Sequence, residues 1–109
     1  MIRLENELVA VAVLPELGAK IWSLIYKPMG TNWIWHNPTV PLKALTAGAS
    51  YDDNWAGGWE ELFPNDAPGE FLGRNLPDHG EWWNSAWLFM TFGPWRGLRT
   101  VVLDEAWRE

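Results

Sequence analysis

No cysteine occurs among the 109 residues, which excludes a disulfide scaffold, a thiolate metal site and a cysteine nucleophile together. Basic residues are few: eight Lys and Arg against fourteen Asp and Glu leave a formal charge of −6. They are scattered, without the cluster that a phosphate backbone rewards, so no nucleic-acid partner is expected. Long apolar runs are also missing. The run at residues 8–14 falls well short of the ~18 residues a membrane span demands, so no membrane partner is expected. Glu5 and Glu7 precede it and Pro15-Glu16 follows, which makes a poor leader peptide and a good strand. Histidine is limited to His36 and His79, far apart and with no His-Glu-x-x-His helix, so no metal site is expected. A Gly-x-Ser-x-Gly elbow and a phosphate-binding glycine loop are absent as well. What remains open is a neutral or polar small molecule, handled by a soluble, cytoplasmic protein without a cofactor.

Against those absences stand ten tryptophans, four phenylalanines and two tyrosines, enough to build a substantial core. Most of the indoles are expected inside it, with two or three facing a ligand. Residues 8–14 are continuously apolar and valine-rich, which predicts a strand buried on both faces. Pro15-Glu16-Leu17-Gly18 reads as a turn, and residues 19–26 as a second strand rich in β-formers. A turn over residues 27–32 and a short strand at 33–35 complete an antiparallel meander. Residues 38–77 are so punctuated by Pro and Gly that only short elements fit; a loop region that long is more often functional than idle. Residues 83–92 and 98–103 read as strands joined by Gly93-Pro94-Trp95-Arg96-Gly97. The fold class is therefore all-β with antiparallel strands and a long irregular loop region. Because no closing element follows residue 103, residues 1–109 are expected to be the N-terminal part of one larger β-sandwich domain. The piece alone is expected to be poorly soluble or to self-associate through exposed sheet edges.

Two segments concentrate the chemistry. One is Gly57-Gly58-Trp59-Glu60-Glu61-Leu62-Phe63-Pro64-Asn65; the other is Pro77-Asp78-His79-Gly80-Glu81-Trp82-Trp83. Acids, amides, one imidazole and several indoles between Gly and Pro suit a sugar, whose C–H faces stack on aromatic rings while carboxylates and amides take its hydroxyls. His79 sits among carboxylates, where Asp78 or Glu81 would favour its protonated form as a general acid; a turn-capping loop histidine is the equally weighted alternative. His36 reads as structural. Glu60 and Glu61 are adjacent, and in extended chain adjacent side chains point to opposite faces. They therefore cannot both serve one glycosidic bond as an acid–base pair. One should face the site and the other solvent or a backbone amide.

With these residues in view, the chain resembles the aldose 1-epimerase (galactose mutarotase-like) superfamily. Leu14-Pro15-Glu16-Leu17-Gly18-Ala19-Lys20-Ile21 is similar to that family's early strand-turn-strand, and residues 57–65 to its Gly-Trp-acid-acid-x-Phe-Pro segment. Residues 77–83 resemble its His-Gly motif, with Trp87 as the downstream aromatic. The resemblance implies a β-supersandwich, of which this chain is a part, and interconversion of sugar anomers. In such enzymes a histidine protonates the ring oxygen while a carboxylate takes the proton of the anomeric hydroxyl; the ring opens, rotates and recloses. Carried over, His79 is the acid and Asp78 tunes or orients it. Glu61 and Asn65 bind hydroxyls, and Trp59 or Trp83 forms the apolar platform. The family's base glutamate lies on a strand that this sequence does not reach. A non-catalytic carbohydrate-binding domain is the alternative. The catalytic reading asks that the imidazole face a pyranose-sized hollow.

Overall fold

The computed structural model describes residues 1–88 and 99–102. It is all-β with little helix: a five-stranded antiparallel sheet in the order β4-β3-β2-β1-β7 and a separate two-stranded hairpin, β5-β6. The strands are β1 (Ile2–Glu5), β2 (Val9–Leu14), β3 (Lys20–Tyr26), β4 (Thr31–Asn32), β5 (Gly69–Phe71), β6 (Arg74–Leu76) and β7 (Arg99–Val102), with one helical turn, α1 (Tyr51–Asn54). Among the described residues, no helix is long and apolar enough to cross a membrane.

The connection between β1 and β2 follows from one side chain. Asn6 Oδ1 accepts from the amides of Leu8 at 2.9 Å and Val9 at 2.8 Å, an Asx turn that reverses the chain. Along β2, Ala10, Ala12 and Leu14 are buried while Val9, Val11 and Val13 are half-buried. The expectation of burial on both faces is thus corrected. The valines raise the strand's β-propensity, but only the alanine and leucine face is fully covered. β2 pairs with β3 through a bulge between Ala12 and Val13, after a 3-10 turn at Pro15–Leu17.

Two other expectations shift. The strand placed at residues 33–35 lies earlier, at Thr31–Asn32. Asn32 Oδ1 takes the amides of Leu24 at 3.0 Å and Ile34 at 3.1 Å, so a side chain replaces the ladder there. The strand expected from residue 83 instead begins as a 3-10 turn, Trp82–Asn84, and continues without strand pairing to Leu88. Ser85 closes that turn: its amide bonds the Trp82 carbonyl at 3.3 Å and its hydroxyl the Glu81 carbonyl at 2.6 Å. Residues 89–92, and the turn expected at 93–97, lie outside the described residues. β7 falls within the strand expected at 98–103 and pairs with β1. The expected irregular region holds more order than its Pro and Gly suggested, namely α1 and the β5-β6 hairpin. The helical turn is capped by Ser50 Oγ, which accepts from the Asp53 amide, and carries Asp52 and Asp53 where the helix dipole favours acids.

Candidate functional site

Three isolated bridges fasten the two chemistry-bearing segments: Ile21↔Trp59 ties the first to β3, His36↔Gly57 ties it to the chain after β4, and Phe63↔Gly80 ties the second segment to the first. Ile21 and Trp59 exchange both backbone hydrogen bonds, at 2.7 and 3.0 Å, so residues 57–59 run as an extra strip beside the start of β3. Gly57 makes this possible. Its φ is +89°, and a Cβ there would overlap the Trp35 carbonyl. His36 flanks the strip with its ring stacked on Trp22 at 3.7 Å, and its Nε2–H donates to the Trp22 carbonyl at 2.6 Å. That is the structural role expected of it.

The second segment docks on the first. The amide of Glu81 bonds the Phe63 carbonyl at 2.8 Å and that of His79 the Asp66 carbonyl at 2.6 Å. Asn65 reinforces the joint: its Nδ2 donates to the carbonyls of Pro77 at 2.6 Å and Ala67 at 2.9 Å. The segments that the sequence singled out, separated by the β5-β6 hairpin, thus form one unit.

At its centre the His79 imidazole lies flat on the Tyr51 phenol, with centroids 3.6 Å apart and planes 4° from parallel. Carboxylates bracket the imidazole. Asp78 Oδ2 lies 2.9 Å from Nδ1 and Asp66 Oδ1 lies 3.8 Å from Nε2. The Asp78 contact is close but is not an aligned hydrogen bond, because the buried Nδ1 has no partner in hydrogen-bond geometry. His79 adopts φ +61°, a left-handed conformation that costs a residue with a Cβ and persists only when its surroundings fix it.

Tyr51 is boxed in turn. Trp83 meets it edge-on at 4.9 Å and Trp55 stacks on it at 6.4 Å. Burial first, then the neighbouring Glu60 carboxylate, pushes its hydroxyl well above the usual tyrosine range. Glu60 pairs with Lys20, and both side chains are almost completely buried, at 3% and 6% exposure. Lys20 Nζ also donates to the Gly57 carbonyl at 2.8 Å. Both Glu60 carboxylate oxygens are buried without an aligned hydrogen-bond donor, so the contact with Lys20 is an ion pair.

The expected site residues divide accordingly. His79 and Asp78 are together at the centre, with Asn65 at the joint. Glu61 is exposed, and it is Glu60 that turns inward. Trp59 is 56% exposed at the strip, and Trp83, at 3%, is a floor beneath Tyr51 rather than an open platform. A groove of about 200 Å³ runs beside the centre; Pro77, Gly80, Glu81 and Trp83 line it with residues 47–49, 84 and 85, and the His79 ring does not. Sequence reasoning missed Lys20, Tyr51 and Glu60 as a group. Lys20 in an otherwise apolar strand start was the available signal, since a lysine is rarely buried without a partner. Among the described residues, no group of three or more His, Asp or Glu side chains could hold a metal ion.

Comparison with known proteins yields one family. A family model described as "Domain of unknown function (DUF5107)" matches residues 1–69. No curated protein and no solved structure matches the chain.

Proposed function

The chain belongs to the DUF5107 family, whose description names no activity, and from its residues we propose an aldose 1-epimerase-like role, the interconversion of sugar anomers by general acid–base catalysis. One observation carries this reading: His79, held in a left-handed backbone conformation, presents an imidazole stacked on Tyr51 between Asp78 and Asp66. A proton donor to a sugar ring oxygen needs a fixed orientation and nearby negative charge to balance its charged form, and this arrangement supplies both. The sugar would lie in the groove along Gly80 and Glu81, which the His79 ring does not line, so catalysis on this reading requires the imidazole to turn toward that groove. The exposed Glu61 would take hydroxyls and the exposed Trp59 would offer an apolar face, while Asn65, whose amide protons are held by the Pro77 and Ala67 carbonyls, would serve by fixing the joint. The base is not assigned to any residue of this chain. On the same reading the domain is part of a mutarotase-like supersandwich, works in the cytoplasm on a small sugar without cofactor or metal, and self-associates through its sheet edges.

The test is mutarotation of freshly dissolved α-glucose and α-galactose, followed by polarimetry with protein carrying this chain. Accelerated exchange that His79→Ala abolishes is the expected result. A His79→Ala variant as active as the unaltered protein would remove the proposed acid.

A second reading, a carbohydrate-binding domain without catalysis, is favoured by a different observation. The groove passes His79's neighbours rather than its ring, while Trp33, Trp35 and Trp59 are more than half exposed. Binding of a sugar by calorimetry, with no anomer exchange, would select it.

A further inference from the structure

We propose that Tyr51 is the positioning residue for the His79 imidazole, and that the buried Lys20–Glu60 pair holds Tyr51 in place from the sheet. The proposal deepens the acid–base reading by naming what orients the acid, but its test needs no sugar. The path is continuous. Lys20 opens β3; its Nζ contacts Glu60 and the Gly57 carbonyl; Glu60 lies beside the Tyr51 hydroxyl; and the Tyr51 ring covers one face of His79.

Each link has a physical reason that packing alone does not supply. A buried ion pair often adds no net stability over apolar residues of similar shape, which leaves room for a role other than stability. Fixing the orientation of neighbouring groups is such a role, provided the pair contacts something that must be oriented. Glu60 meets that condition. Oε2 faces Lys20, neither carboxylate oxygen has an aligned hydrogen-bond donor, and the carboxylate lies beside the Tyr51 hydroxyl. Tyr51 stands on a one-turn helix, which by itself fixes a side chain weakly. The walls therefore do the fixing: Trp83 edge-on, Trp55 on one side, Glu60 at the hydroxyl and His79 on the free face. His79 is on a loop in an unfavourable φ, and its ring nitrogens face carboxylates on two different segments. Without the phenol, the ring would be free to rotate toward either acid. With it, rotation out of the plane means losing the stacked face.

The experiment is proton and nitrogen NMR of the His79 ring in the whole chain. In the unaltered protein, ring protons of His79 and Tyr51 should show mutual NOEs, and those of His79 an upfield ring-current shift. Absence of these NOEs would overturn the proposal without any variant. Tyr51→Leu should abolish the upfield shift, whereas Tyr51→Phe, which keeps the ring, should retain it. Lys20→Met should weaken the shift or split it into more than one environment, while amide signals of β1 and β2 stay in place. A His79 shift indifferent to Tyr51→Leu would exclude positioning by the phenol, and one indifferent to Lys20→Met would exclude the pair as its anchor. If His79 proves to be positioned in this way but no sugar is turned over, the functional reading fails alone.

Discussion

The phenol of Tyr51 and the imidazole of His79 lie 3.6 Å apart and nearly parallel, although they come from α1 and from the loop after β6. Desolvation, then the Glu60 carboxylate and to a lesser extent the charges of Asp52 and Asp66, raise the Tyr51 hydroxyl above its ordinary value of 10.0. A raised folded-state value means that the fold favours the protonated form. Its contribution to stability is full below the unfolded value near 10.0, and is lost as pH climbs above that toward the folded value. In a Tyr26→Phe background, tyrosinate absorbance should therefore stay silent past pH 10.0 and rise only higher or with unfolding. Adding Glu60→Gln should move its onset down. Ionisation of Tyr51 near 10.0 in the folded protein would contradict the arrangement.

Lys20 and Glu60 should behave asymmetrically under mutation. Lys20→Met leaves a carboxylate buried and unpaired, which costs roughly 3–5 kcal/mol in comparable buried pairs. Lys20→Met combined with Glu60→Leu removes both charges and should recover much of that loss. Urea denaturation of the single and double variants measures the difference. Equal stability of Lys20→Met and the unaltered protein would show that the pair is not buried as described.

At the other end of the sheet, Glu5 faces Lys27 at 2.9 Å and Arg3 at 3.1 Å. The hydrogen bond from Lys27 chiefly holds its carboxyl below the ordinary 4.5; partial desolvation opposes this, and the Arg3 charge adds to it. A depressed folded value contributes stability that is present above the unfolded value and is lost as pH falls through the folded one. Carboxyl-carbon NMR should find Glu5 titrating below 4.5, and Lys27→Met should bring it back up. The effect on overall stability should be small, because exposed pairs of this kind are screened.

How much of this was legible beforehand differs between sheet and site. The β2–β3 hairpin could be read because valines, Pro15 and Gly18 mark strand and turn locally. β1 was missed. Its only hydrophobic residues, Ile2 and Leu4, alternate with Arg3 and Glu5 over four residues, too short a pattern to register. The two motifs were found by their unusual composition, and His79 and Asp78 with them. The inward turn of Glu60 rather than Glu61 was not legible. Alternation says that the two face opposite ways, but which faces inward depends on the Ile21↔Trp59 register, a non-local contact. Tyr51 was hidden for the same reason: its partners Glu60, His79 and Trp83 are brought to it only by the docking of two loops.

Gly80 offers the sharpest test of that docking. Its φ is +71°, and a Cβ at that position would overlap the Phe63 carbonyl that accepts the Glu81 amide. Gly73 provides the control, with φ +73° and nothing within 4 Å of a Cβ. Gly73→Ala should incur only the left-handed backbone cost, roughly 1–2 kcal/mol. Gly80→Ala should incur a similar cost and in addition force the Phe63↔Gly80 bridge apart. The larger loss of stability in denaturant should therefore belong to Gly80→Ala, with faster hydrogen exchange at the Glu81 amide and little change in β2. If both variants lose the same stability and Glu81 exchange is unaltered, the loop carrying His79 does not rest against Phe63, and the orientation of the imidazole must have another source.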